Sequence, residues 1–425
     1  MAYNRKQRLN DNIKAIETAF ILDREQRTPT ARERLLLERY CGFGGLKCIL
    51  NPARELADAV HWAKSDLELF APTVELHRLI RENSKNESEY KQLMDSLKQS
   101  VLTAFYTPSA VTEALADVLK EHQIIPEKVL EPSAGIGAFV DSVLDNNPKA
   151  DIMAFEKDLL TGKILRHLHP EQKVRIEGFE KIEKPFNDYF DLAISNIPFG
   201  DVAVFDPSYT AMKGMRALVT RRIHNYFFVK ALDTVRDGGL VAFITSQGVL
   251  NAKNNSAARF MMLYHADLVS AIRLPNNLFT ENANTEVGSD LIILQKNTQK
   301  ESLRGDDNLL DTVYNDENRI PTNNYFLEHP ERIIHTTAKL DTDPFGKPAM
   351  IYTHEDGVEG IAEDLRKMLH EDFKKNLNLN RYLGIEETNS EEVKEVEETE
   401  KIEETEKIKP SIEVKQNDTV VSLQK

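Results

Sequence analysis

The sequence predicts an α/β protein: a doubly wound, mostly parallel sheet with an antiparallel edge strand, preceded by an all-helical N-terminal region. Three observations carry this expectation. Between residues 128 and 296, apolar runs of strand length alternate with amphipathic helical stretches, the pattern of a parallel-dominated sheet covered on both faces. Two of those runs end in turns rich in Gly, Pro and polar residues, at 131–137 and 196–200, the edge at which open α/β sheets hold ligands. Before residue 100 apolar residues recur at helical spacing.

Taken in order, residues 8–23 place Leu9, Ile13, Ile16 and Phe20 near one helical face. Thr30 precedes Glu33 at capping-box spacing, and Leu35, Leu36, Leu37 and Tyr40 follow. Gly42, Gly44 and Gly45 around Phe43 then break the pattern. They read either as a helix–helix turn with Phe43 plugged into the core or as a loop bordering a ligand site. Residues 53–98 are helical and highly charged, with an exposed turn at 85–89. Ser109 stands as an N-cap before a helix over 110–121. Strands follow at 129–131, 152–155, 174–176, 190–194, 240–244, 268–274 and 290–295, with helices at 158–168, 223–236 and 255–265. The last two strands lie close together, which allows an antiparallel edge. One amphipathic helix is expected over 357–373.

Length and composition bound the rest. A chain of 425 residues predicts several domains: a helical region at 1–100, an α/β domain at 101–300, a small mixed region at 301–385 and a disordered acidic tail at 386–425. In that tail thirteen acids face six lysines, so it carries −7 of the net charge of −15. This acidity argues against strong non-specific nucleic-acid binding by the whole surface and leaves room for a local basic face. The two cysteines, Cys41 and Cys48, make neither a disulfide framework nor a zinc site. No metal and no membrane span are expected, and a reducing cytoplasm fits best.

The chemistry concentrates at the strand ends. Residues 190–194 form a buried strand that delivers Asn196 to its carboxyl end, followed by Ile197, Pro198 and Phe199. An amide there can accept from an amino group, a backbone carbonyl can accept a second time, and the ring can stack on a flat base. In the first turn Glu131, Ser133, Ala134, Gly135 and Gly137 follow a strand and open a helix. The two glycines allow close backbone approach to a ligand. A third glycine of the dinucleotide fingerprint is missing, since Val140 occupies that place. This favours S-adenosylmethionine, with its carboxylate, amine and nucleoside, over a nicotinamide cofactor. Glu156, ending the second strand, suits the ribose hydroxyls, and Phe179 can border the adenine. Lys213, Arg216, Arg221 and Arg222 lie in the segment leaving the Asn196 turn and can meet phosphates. The plain alternative is a solvated loop.

Together Phe105-Tyr106-Thr107-Pro108, residues 131–137, Glu156 and Asn196-Ile197-Pro198-Phe199 resemble, in that order, the adenine-N6 DNA methyltransferases of the gamma arrangement. Arg273 to Phe279 and the strand that follows also resemble the modification subunits of type I restriction systems. The Asn-Ile-Pro-Phe-Gly spelling, with the glycine-rich segment upstream, resembles methylases carried by bacterial mobile elements, which are often joined to helicase-like regions. The resemblance covers about residues 100–300 and, more loosely, 1–100. It implies a Rossmann-like methyltransferase sheet, S-adenosylmethionine as cofactor, and double-stranded DNA as substrate with its target adenine flipped out. It places Phe105, Tyr106, Thr107 and Pro108 with the cofactor, and Asn196 beside both cofactor and base. Ile197 stands where proline is commoner, which predicts a less stiff turn. Related turns also serve RNA-base and protein-glutamine methylation, and a non-catalytic module of a mobile-element complex is a further alternative. With only about residues 300–385 available for target recognition, a specificity or helicase-like partner is expected.

Overall fold

The computed structural model describes residues 4–103, 106–212, 214–280, 286–303, 307–314, 319–343 and 346–385. Phe105, Lys213 and the tail 386–425 lie outside the described residues.

The N-terminal region is helical. Helix α1 (Arg5–Glu25) starts where the Asn4 side chain accepts from Gln7 N–H, and α2 (Ala31–Leu37) where Thr30 and Glu33 close the expected capping box. Helices α3 (Phe70–Glu82) and α4 (Glu87–Thr103) follow three short 3₁₀ turns. Phe43 is fully buried and edge-on to Tyr40. Its N–H is held by Ser100 Oγ at 3.1 Å, and Asn12 Nδ2 donates to Gly42 O at 2.6 Å. The glycine segment is therefore the helix–helix turn of the first reading.

Next come α5 (Ser109–Glu121), α6 (Ala138–Asn146) and α7 (Leu159–Leu168), interleaved with β1 (Lys128–Glu131), β2 (Asp151–Phe155) and β3 (Lys173–Arg175). Pro108, not Ser109, occupies the cap position of α5; Ser109 begins the helix, where its carbonyl accepts from the Thr112 hydroxyl at 3.1 Å. Strand β4 (Phe190–Asn196) leads through two short helices, α8 (Pro207–Thr210) and α9 (Met215–Val219), to α10 (Ile223–Thr234). Then follow β5 (Val235–Ser246), α11 (Gly248–Asn251), α12 (Ser256–His265), β6 (Ala266–Leu274) and β7 (Ser289–Lys296).

Strand order is β3-β2-β1-β4-β5-β7-β6. All neighbours are parallel except at the end, where β7 runs against both β5 and β6. The expected antiparallel edge is there, with β7 one place in from the rim. Side chains alternate between faces of a strand, and the two cores follow. Leu192, Ile194, Ala242 and Ile244 face α5, α6 and the C-terminal helix Gly357–Asn376. Ala193, Val241 and Phe243 face α10 and α12. A third core joins the N-terminal helices to Leu160, Ile164 and Leu168 of α7. Asp23 reinforces that joint by pairing with Lys163, Arg166 and His167. No described helix is long and apolar enough to cross a membrane.

Candidate active site

Order reverses between β1 and β4, because chain connections leave β1 toward β2 on one side and β4 continues on the other. Such a switch point opens a crevice at the carboxyl ends of the strands. Here a cleft of ≈ 920 Å³ occupies it, and it collects the ends of β1, β2 and β4 together with Tyr106, Thr107, Phe179 and one side of α4.

The first wall is the turn after β1. Gly135 and Gly137 adopt φ of +58° and +92°. A Cβ on Gly135 would stand 2.8 Å from the Tyr106 ring, so this turn needs glycine both for its backbone angle and for its neighbour. Ala134 N–H donates to Phe155 O at 2.8 Å, and the Ser195 hydroxyl donates to Ser133 O at 3.2 Å, tying the turn to β2 and β4.

Glu131 ends β1 at 2% exposure, and its Oε2 has no hydrogen-bond partner. Burial, then the charges of Asp141 and Glu156, hold its pKa well above the usual carboxylate range. Glu156, half-buried, accepts from Gly135 N–H and from Asp158 N–H, each at 2.7 Å. Burial and the nearby Asp158 push it up to about 8. Asp158 caps α7 through Thr161 N–H and accepts from the Ser96 hydroxyl of α4 at 2.6 Å. Its pKa is raised too, chiefly by burial. Thr107 Oγ1 is a second buried polar atom without a partner. Phe179 is buried with its ring 5.8 Å from Phe155 and 5.3 Å from Phe227.

Asn196 closes β4 in register with Ile244. Ile197 explains how the turn manages without a proline: it keeps an N–H, which donates to Ile244 O at 3.0 Å, and its side chain is buried in the second core. The stiffness a proline ring would supply is replaced by a ladder bond that proline cannot form. Phe199 is partly buried, edge-on to Phe279 at 6.2 Å.

These residues fit S-adenosylmethionine. Its ammonium and sulfonium suit a cleft lined by the buried carboxyl of Glu131 and the half-buried carboxyls of Glu156 and Asp158, and an amine suits the partnerless Glu131 Oε2. The Thr107 hydroxyl can donate to a carboxylate, and Phe179 offers an apolar wall for a base. Among the described residues no group of three or more His, Cys, Asp or Glu side chains could hold a metal ion.

The structure thus gathers Tyr106, Thr107, Glu131, Ser133, Ala134, Gly135, Glu156, Phe179, Asn196, Ile197, Pro198 and Phe199 around one cleft. Gly137 stands just behind, packed under His169 and Leu165, and Pro108 caps α5. The basic segment divides. Arg216 is clamped bidentately by Asp233 at 2.6 and 2.9 Å, and Arg222 by Asp201, Asn254 and Asn255. Arg221 is exposed. Sequence reading missed Ser96, Asp158 and the rim at Val202 to Phe205. Of these, Asp158 carried a signal, as an N-cap residue before an apolar helix.

Sheet and cleft together define a Rossmann-like methyltransferase fold. The chain belongs to the N-6 DNA Methylase family, whose model matches residues 88–391. It is 29% identical over 201 residues to Defense against restriction protein B of Escherichia phage P1, covering 46% of this chain and 8% of that protein. It is 25% identical over 173 residues to the type II methyltransferase M.XamI of Xanthomonas campestris pv. amaranthicola, covering 38% of this chain and 33% of that enzyme. The chain thus spans a third or less of these two relatives. Among solved structures, the methyltransferase subunit of a type I restriction-modification system from Streptococcus thermophilus matches with a TM-score of 0.39 and 12% identity, over 88% of this chain and 94% of that one.

Proposed function

We propose that this chain transfers a methyl group from S-adenosylmethionine to N6 of an adenine flipped out of DNA. One observation carries the reading: Asn196 and Glu131, whose Oε2 has no hydrogen-bond partner, line the same cleft across the switch point. Glu131, Thr107, the 132–137 turn, Glu156 and Phe179 would hold the cofactor. Bound there, S-adenosylmethionine supplies an electrophilic methyl on a positively charged sulfur. Asn196 Oδ1 and the Ile197 carbonyl accept from the two N6 hydrogens, which aims the nitrogen lone pair and stabilises the positive charge that builds there. Phe199 stacks on the extruded base. The remaining contribution is alignment of nitrogen, carbon and sulfur. The proton on the methylated amine needs no strong base, because that amine has become acidic.

DNA as acceptor is supported by the family membership, and a specificity or helicase-like partner is part of the same proposal. The test is incorporation of labelled methyl into unmethylated DNA, RNA and protein side by side. N6-methyladenine in DNA is the expected product. Label confined to RNA or to protein glutamine would overturn the choice of acceptor.

A further inference from the structure

The segment that leaves the Asn196 turn carries five exposed large apolar side chains: Val202, Phe205, Met212, Met215 and Leu218. Phe205 is 78% exposed, yet it and Val202 line the cleft that holds Asn196. Phe205 is not loosely held. Val204 donates its N–H to Thr220 O at 2.8 Å and packs its side chain against the second core. Asp206, 3% exposed, accepts from the Tyr226 hydroxyl at 2.7 Å, the Ser208 hydroxyl at 2.6 Å and the Lys230 ammonium at 3.3 Å. Its backbone is extended (φ −122°, ψ 106°), and successive side chains of extended chain point to opposite sides. With both neighbours pinned inward, Phe205 is turned outward and cannot retreat into the core.

A rigidly mounted aromatic bare to solvent at the mouth of a cleft marks a contact surface. We propose that Phe205, flanked by Val202, is a wedge. It enters the duplex where the target base leaves and stacks on the bases bordering the gap. This rests on reading the cleft as a DNA methyltransferase site. A base must pass this rim to reach Asn196, apolar wedges commonly hold unstacked base steps open, and the exposed Arg221 in the same segment suits the flanking phosphate.

The test compares wild type, Phe205→Ala and Phe205→Trp in labelled methyl transfer to unmethylated plasmid DNA, as duplex and after heat denaturation. Cofactor binding is measured alongside. Denatured strands need no extrusion, so the readout is the duplex-to-denatured ratio of rates. That ratio should fall about tenfold or more in Phe205→Ala, the scale of one lost base–aromatic stack, and hold in Phe205→Trp. Fluorescence of Phe205→Trp should be quenched by added duplex; wild type, whose single tryptophan is the buried Trp62, should show no such change. Transfer by wild type with the same ratio in Phe205→Ala overturns the wedge alone. No transfer to DNA by wild type, despite cofactor binding, overturns the reading of the site with it.

Discussion

Changing Glu131 to Gln should strengthen the ligand-free protein at neutral to basic pH and weaken its hold on S-adenosylmethionine. Burial keeps the Glu131 carboxyl protonated well above the value of 4.5 at which an unperturbed glutamate loses its proton. Between those two limits the folded state binds more protons than the unfolded one. Stability from this group is therefore complete below about pH 4.5 and drains away as pH rises toward the folded pKa, at about 1.4 kcal/mol per pH unit. Gln has no proton to lose. Glu131→Gln should then melt at a higher temperature than wild type at about pH 8 and nearly with it at about pH 5. The ligand reverses the sign, because its ammonium favours the ionised carboxylate. Losing one charge-assisted bond costs about 1.5–3 kcal/mol, or roughly 10- to 150-fold in Kd. Thermal melting across pH and calorimetric titration read the two effects. Calorimetry in buffers of different ionisation heat should also detect proton release on binding, smaller in the variant. Equal affinity for both proteins, or a lower melting temperature for Glu131→Gln at pH 8, would refute the assignment.

Three further changes read other parts of the structure. Gly135→Val places a branched side chain where the Tyr106 ring lies 2.8 Å away, on backbone at φ +58°; cofactor binding should vanish while circular dichroism stays native, and surviving affinity would mean that the turn is not the cradle. Phe199→Ala should raise the KM for DNA by about 5- to 150-fold through roughly 1–3 kcal/mol of lost stacking, with the Kd for cofactor unmoved. Arg273→Ala removes the partner of the fully buried Asp290, 2.9 Å away; stability to urea should drop by about 3–5 kcal/mol, the scale for stranding a buried charge.

What could be read from the sequence divides along physical lines. Strands such as β4 were legible because Phe190 to Ile194 form a compact apolar run closed by Pro198. The turns at 131–137 and 196–200 were legible because their chemistry is local. Strand order was not: the insertion of β7 between β5 and β6 is long-range pairing that no local pattern encodes. Nor was the α4 wall of the cleft. Periodicity marks its buried side, Leu93 and Leu97, whereas the residues it turns to the cleft include Gln92, Asp95 and Gln99, which read as a solvated face. The basic segment shows the same limit. Arg216 looked available because Asp233, which clamps it, lies seventeen positions away on another helix.

Asn196 is the residue on which the proposed chemistry turns, since in that proposal its amide meets the acceptor amine while Glu131, Glu156 and Phe179 hold the cofactor. The decisive measurement is single-turnover transfer of labelled methyl to DNA rich in unmethylated adenine, for wild type and Asn196→Ala, with cofactor affinity measured on the same preparations. Removing one preorganised transition-state hydrogen bond should slow transfer by about 10²-fold or more and leave cofactor affinity as in wild type. Equal transfer rates for the two proteins would contradict the proposed role of Asn196 in the chemistry.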